Sequence, residues 1–75
     1  MPNFPVVTAK TLIAVLKKKG FRLDTSEGSH FVFRHSITHK HVSVPVHPGR
    51  DLGRGITKHI LKEAEITPEE FIKLR

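Results

Sequence analysis

The sequence predicts an α+β fold in which two helices cover one face of a three-stranded antiparallel sheet. Two observations lead to this fold class. Apolar residues recur at helical spacing near both ends of the chain, and three short segments between them alternate apolar and polar residues. The predicted order is α-β-β-β-α with a short C-terminal helix, a two-layer sandwich whose second sheet face stays open. Residues 1–75 are expected to form a single domain.

The first helix is predicted over residues 9–19, after an extended lead-in at residues 1–7 that contains two prolines. Thr8 is a suitable N-cap. Three lysines at residues 17–19 suit the negative end of the helix dipole, and Gly20 stands just past that end. The apolar stripe of this helix consists of Ala9, Leu12, Ile13 and Leu16.

Three strands follow, and their connections differ in kind. The strands are predicted over residues 21–25, 29–35 and 41–46, with residues 26–28 as the first turn. The second connection, at residues 36–40, has no Asn-Gly or Asp-Gly pair, so a longer and looser loop is expected. Pro45 cannot donate a ladder hydrogen bond, which predicts that the third strand lies at an edge of the sheet.

The second strand divides its side chains between the two faces of the sheet. Successive residues of a strand point to opposite sides, so Phe31 and Phe33 are expected to face the helices. His30, Val32 and Arg34 then share the open face. Gly28, just before this strand, permits a backbone geometry closed to other residues and leaves room for a ligand to approach.

A second helix is predicted to begin between residues 52 and 55 and to end near residue 64, after a turn at residues 47–51. Its apolar residues recur every four positions, as Leu52, Ile56, Ile60 and Ala64. Thr67, Pro68 and Glu70 form a capping-box pattern that starts the short final helix. Phe71 and Leu74 are expected to return to the core.

The charge balance points to a polyanionic partner. The chain has 13 Lys and Arg against 7 Asp and Glu, a formal net charge of +6, and such an excess favours nucleic acid. An acidic protein partner is the alternative. We expect phosphate contacts on and around the open face, from the small residues Gly28 and Ser29 and from the cations Arg34, Lys40, Arg50, Arg54 and Lys58.

Several kinds of site find little support. The chain has no cysteine and no apolar run long enough to span a membrane, which predicts a cytoplasmic protein.

Six histidines raise the question of a metal site, most of all His35, His39 and His41. Because no carboxylate lies between Gly28 and Arg50 and no known zinc spacing occurs, we expect neither a metal nor a cofactor.

A lone histidine beside several cations is suited to RNA cleavage. The 2′-hydroxyl of RNA is a built-in nucleophile, so an enzyme needs only to move protons and to stabilise charge on the phosphate. His30 is the candidate for the proton transfer. Two alternatives stay open: His30 is structural, or the domain binds double-stranded RNA by shape and phosphate contacts without cutting it.

Four motifs carry a resemblance that covers nearly the whole chain. They are Leu16-Lys17-Lys18-Lys19-Gly20-Phe21, Gly28-Ser29-His30, Val44-Pro45-Val46-His47-Pro48-Gly49-Arg50-Asp51-Leu52 and Arg54-Gly55-Ile56. In this order and spacing they resemble the HicA family of bacterial toxins. The resemblance implies a fold like that of the double-stranded-RNA-binding domain. It also implies a type II toxin–antitoxin toxin that is an mRNA interferase, with His30 as its catalytic residue and a HicB antitoxin as its partner. His47 is expected to shape the turn before the second helix.

Overall fold

The computed structural model describes residues 7–47 and 50–75. The predicted lead-in therefore lies outside the described residues except for Val7, and so does the Pro48-Gly49 part of the predicted turn. No helix in the described ranges is long and apolar enough to cross a membrane. The elements in chain order are β1 (Val7–Thr8), α1 (Ala9–Lys18), β2 (Phe21–Glu27), β3 (His30–His35), β4 (His41–Pro45), β5 (Asp51–Leu52), α2 (Arg54–Glu63) and α3 (Pro68–Leu74).

The fold is the predicted α+β sandwich of one helical layer on a three-stranded antiparallel sheet, and β1 and β5 form a separate two-stranded antiparallel sheet. Strands β2, β3 and β4 pair in that order, so β3 is central and β4 is an edge strand, as Pro45 predicted. Helix α1 packs against β2 and β4, α2 packs against β4, and α3 packs against α1. The largest fully buried side chains, which form the core between the layers, are Phe33, Phe71, Leu12, Leu16, Leu61, Val15, Val44 and Thr57.

Helix α1 begins and ends at the residues that the sequence indicates, within one position. The Thr8 hydroxyl accepts a hydrogen bond from the Thr11 amide at 3.3 Å, which satisfies one of the free amides of the first turn. At the other end Gly20 has φ of 99°, a left-handed value that favours glycine. The buried face includes Val15 in addition to the predicted stripe, and Ile13 is only partly buried.

The final helix α3 has the predicted capping box and is tied to α1 by two lysines. The Thr67 hydroxyl accepts from the Glu70 amide, and the Glu70 carboxylate accepts from the Thr67 amide. Lys19 Nζ donates to Glu70 Oε2 at 2.6 Å, and this hydrogen bond is the main cause that lowers the pKa of the Glu70 carboxyl. Lys18 Nζ donates to the Leu74 carbonyl at 2.6 Å, so both ends of α3 are held against α1.

Helix α2 begins within the predicted range, but one residue of the predicted apolar stripe lies outside the helix and another is exposed. Leu52 belongs to β5, which pairs antiparallel with β1, and the helix begins only at Arg54 with Gly53 as its N-cap. The other two members of the predicted stripe, Ile60 and Ala64, are buried as expected. Ile56 is 48% exposed, whereas Thr57 is buried with its hydroxyl donating to the Gly53 carbonyl at 3.0 Å.

The first hairpin is tighter than predicted. Strand β2 continues to Glu27, so residues 26 and 27 are not part of the turn, and the loop consists of Gly28 and Ser29 alone. The pairing shifts register between Leu23 and Thr25, an irregularity that bends the edge strand β2. Leu23 pairs with the buried Phe33 but is itself 50% exposed.

The second connection is shaped by a histidine that uses both ring nitrogens. His35 Nδ1 accepts hydrogen bonds from the amides of Ile37 and Thr38, each at 3.1 Å. Since Nδ1 is an acceptor, Nε2 carries the proton and donates to the Lys19 carbonyl at 2.9 Å. The imidazole of His35 thereby joins the loop after β3 to the end of α1, and this five-residue loop is longer than a tight hairpin, as predicted.

We predict that Gly20→Ala destabilises the protein by about 2 kcal/mol. The positive φ alone costs an alanine roughly 1–2 kcal/mol, and the added Cβ would lie 2.9 Å from His35 Nε2. Urea unfolding of both proteins measures the difference. The matched control is Gly55→Ala, where the Cβ would meet nothing within 4 Å and helix propensity predicts stabilisation of up to ~1 kcal/mol. Equal midpoints for Gly20→Ala and the unmodified protein would contradict the role given to this contact.

Candidate nucleic-acid interface

The sheet face turned away from the helices is polar, and we call it the open face. On β3, Phe33 is buried and Phe31 half-buried against the core, whereas His30 and Arg34 are exposed. This confirms the predicted division of β3 between its two faces. Residues directly opposite in an antiparallel pair point to the same side. The open face therefore carries His30, Val32 and Arg34 of β3 with their partners Arg22, Thr25, Glu27, His41, Ser43 and Pro45.

His30 lies at the hairpin end of the open face, on the first residue of β3. The loop before it is fixed by Gly28, whose φ of 60° is the left-handed value required at the first central position of a II′ hairpin. A Cβ added at Gly28 would meet nothing within 4 Å, so the space beside the hairpin is open. The exposed imidazole therefore stands on a backbone held by strand pairing on both sides.

Glu27 lies directly opposite His30 in the β2–β3 pairing, and sequence reasoning missed it. Assigning Glu27 to the turn placed its side chain in a loop, whereas the structure puts its exposed carboxylate on the open face. The glycine-bearing pair Gly28-Ser29 was the signal for a two-residue loop. A carboxylate across from an imidazole can accept a hydrogen bond from it and orient it.

The segment after β4 joins the His30 end of the sheet. The Val46 amide donates to the Ser29 carbonyl at 2.6 Å, which ties the residue after β4 to the residue before His30. The Arg50 amide then donates to the His47 carbonyl at 3.1 Å. A surface cavity of about 370 Å³ is lined here by Thr8, Ala9, Lys10, Val46, His47, Arg50 and Asp51. Arg50 and Lys10 thus add positive charge near the hairpin.

Arg34 lies at the other end of the open face, in a cleft of about 300 Å³. Its neighbours across the strands are Arg22 on β2 and His41 on β4. Arg34 Nη2 donates to His39 Nδ1 at 2.7 Å, and His41 Nε2 lies 3.6 Å from Asp24 Oδ2. The cleft is lined by Arg22, Leu23, Asp24, Arg34, His35, Ser36 and His39.

Three of the predicted phosphate-contacting cations lie away from the open face. Lys40 Nζ pairs with Glu65 Oε2 at 2.5 Å, beside the end of α2, and this bond lowers the pKa of the Glu65 carboxyl. Arg54 and Lys58 are exposed on α2, which belongs to the helical layer. Lys40, Arg54 and Lys58 thus lie on other parts of the surface than the open face, and their contact with phosphate stays a prediction. Gly28, Ser29 and Arg50 do lie at the His30 end of the sheet.

The three histidines considered as metal ligands have separate partners. His35 is bonded to backbone groups through both nitrogens, His39 to Arg34, and His41 lies near Asp24. In the part of the chain that the structure describes, no three His, Cys, Asp or Glu side chains come together in a way that could hold a metal ion.

Comparison with known protein families relates the chain to one of them. Residues 9–66 match the HicA toxin of bacterial toxin–antitoxin systems, a range that begins with α1 and extends past α2. A search of the curated proteins found no match to this chain. The family match covers well over half of the 75 residues and includes the Gly28-Ser29-His30 hairpin. The chain therefore belongs to the HicA toxin family of bacterial toxin–antitoxin systems.

Proposed function

We propose that this protein is an mRNA interferase: an RNA endonuclease that needs no metal, uses His30 as its catalytic residue and is restrained by a HicB-type antitoxin. The observation that carries the proposal is the position of His30, exposed on a strand end with open space beside it. Membership in a toxin family supports it, because a toxin needs a damaging activity and the fold offers this imidazole to a polyanion.

In the proposed reaction His30 moves one proton. The imidazole takes the proton of the 2′-hydroxyl as that oxygen attacks the adjacent phosphorus. The bond from phosphorus to the next nucleotide's oxygen breaks, and that oxygen takes a proton from water. The products are a cyclic phosphate on the upstream fragment and a free hydroxyl on the downstream fragment. Nearby cations stabilise the negative charge that develops on the phosphate oxygens. Arg50 and Lys10 line the cavity at this end of the sheet.

A toxin of a toxin–antitoxin system has an antitoxin partner, and the fold limits the surface that such a partner can cover. The inner face of the sheet is buried against the helices, so direct masking of His30 has to occur on the open face. A HicB-type partner with an acidic patch would be steered there by Arg22, Arg34 and Arg50. Covering His30 would stop cleavage by excluding RNA, with no change in the toxin's fold.

We predict that His30→Ala lowers RNA cleavage by at least ~100-fold, the loss typical of a removed general base. Its side chain is exposed, so the free energy of unfolding should change by less than ~0.5 kcal/mol. Cleavage of a labelled RNA and thermal unfolding, measured on the same preparations, give both values. The matched control is His59→Ala, an exposed histidine on α2 paired with Glu63, which should leave cleavage unchanged. Cleavage retained in His30→Ala would refute the proposed mechanism.

Chelation gives a second prediction. Cleavage should be the same with and without EDTA, because the proposed proton transfer uses an imidazole and no metal-bound water. Measuring initial rates after dialysis against EDTA, with and without added Zn²⁺ or Mn²⁺, tests this. Loss with EDTA and recovery with metal would show a metal-dependent nuclease instead.

Salt dependence tests the electrostatic part of the proposal. Arg22 and Arg34 lie on the open face, and Arg50 and Lys10 line the cavity near its His30 end. If each of these four cations neutralises one phosphate of a single RNA strand, the slope of log affinity against log salt concentration should be about −3. Binding of labelled RNA to His30→Ala at several salt concentrations measures the slope without cleavage. A flat response would mean that the open face does not bind RNA through phosphates.

A further inference from the structure

We propose that Arg22, Arg34 and His39 form a second phosphate-binding subsite, which holds the RNA strand at a distance from the bond cut at His30. The inference rests on the proposed function and extends it to the length of RNA that the site engages. The subsite lies in the cleft at the loop end of the open face, whereas His30 lies at the hairpin end.

The first argument is that two like charges lie opposite each other in the sheet. Arg22 and Arg34 are directly opposite each other in the β2–β3 pairing and both are exposed on the open face. Like charges in that position destabilise a sheet. Within residues 7–47 and 50–75, neither arginine is in salt-bridge contact with a carboxylate. A phosphate between the two guanidinium groups would remove the repulsion and accept hydrogen bonds from both.

The second argument is that Arg34 is held in position without losing its charge. A guanidinium only donates hydrogen bonds, so His39 Nδ1, 2.7 Å from Arg34 Nη2, is the acceptor and is unprotonated. The imidazole thus fixes Arg34 but leaves its positive charge uncompensated. His39 itself has φ of 63°, and its amide donates to the His35 carbonyl at 3.0 Å. His39 is a positioning residue, built into a loop that His35 already anchors.

Asp24 is the acidic residue that lines this cleft, and its substitution gives a second test of phosphate binding there. Its carboxylate lies 3.6 Å from His41 Nε2 and lines the same cleft as Arg22 and Arg34. A negative charge there weakens phosphate binding by repulsion. Replacing Asp24 by the equally sized asparagine removes the charge without creating a cavity, so it should strengthen binding at this subsite.

The separation of the two sites sets a length requirement on the RNA. His30 and Arg34 are four residues apart on β3, and a strand rises about 3.3 Å per residue, which gives a spacing of about 13 Å. A stacked strand rises about 3.4 Å per nucleotide, so the subsite lies about four nucleotides from the cut. A dinucleotide cleaved at His30 cannot reach Arg34.

The experiment compares kcat/KM for a dinucleotide with kcat/KM for RNAs extended by about six nucleotides on one side or the other. The unmodified protein should gain from extension on one side only. Arg22→Gln and Arg34→Gln should each lower kcat/KM on that longer RNA by about tenfold and leave the dinucleotide within twofold. Asp24→Asn should raise the value for the longer RNA alone. The charge-matched control is Lys73→Gln on α3, which should show no dependence on length.

His39 is tested by rescue. His39→Ala should lower kcat/KM on the longer RNA because Arg34 loses its acceptor. His39→Asn should restore most of it, since an asparagine oxygen accepts the same bond and asparagine tolerates a positive φ. Equal losses in both variants, on short and long RNA alike, would show a general structural effect and overturn the positioning role.

A binding measurement separates this inference from the proposed function. If the unmodified protein cuts no RNA, the proposed function fails. Affinity of His30→Ala for the longer RNA, with and without Arg34→Gln, then decides the subsite alone. An unchanged Kd for Arg34→Gln would overturn the subsite. If that variant instead weakens only the binding of an acidic protein partner, the arginine row is a protein interface and the RNA subsite is also overturned.

Discussion

The register of the central strand β3 is the constraint on which both the core and the candidate site depend. Phe33 fills the core and Arg34, the next residue, stands on the open face, so a slip of one residue would exchange them. Two devices hold the register. The two-residue loop at Gly28-Ser29 fixes one end, and the hydrogen bonds of the His35 imidazole fix the other. The position of His30 follows from the same pairing that buries Phe33.

The sequence was most informative where a local pattern has one physical cause. Alternation in β3, the Thr8 cap and the Thr67 capping box each depend on neighbours in the chain, and each was found as predicted. The assignment of Leu52 depended on a distant partner: its spacing fits the stripe of α2, but it pairs with Val7 in the two-stranded sheet and lies outside the helix. Thr57 is buried because its hydroxyl reaches a backbone carbonyl of its own helix, which hydropathy alone does not indicate.

The candidate site was predictable only in part, for a similar reason. His30 and Arg34 could be placed on one face by counting along one strand. The contact between Arg34 and His39 depends on the conformation of the loop, and the contact between Lys40 and Glu65 on the packing of the sheet edge against α2. Charge counted along the chain therefore grouped Lys40 with Arg34, although their side chains have different partners.

Among the described residues, Lys19 and Lys40 beside the helices are paired with carboxylates, whereas the arginines of the open face are not. Lys19 pairs with Glu70, which joins the end of α1 to α3, and Lys40 pairs with Glu65, which joins the loop after β3 to the end of α2. On the open face the carboxylates stand beside imidazoles instead: Glu27 is opposite His30, and Asp24 is near His41. Arg22 and Arg34 on that face have no carboxylate partner among the described residues. In the proposed complex, phosphates bind at the arginines and are repelled by the two carboxylates, so the acids help to set where along β3 the RNA strand comes to rest.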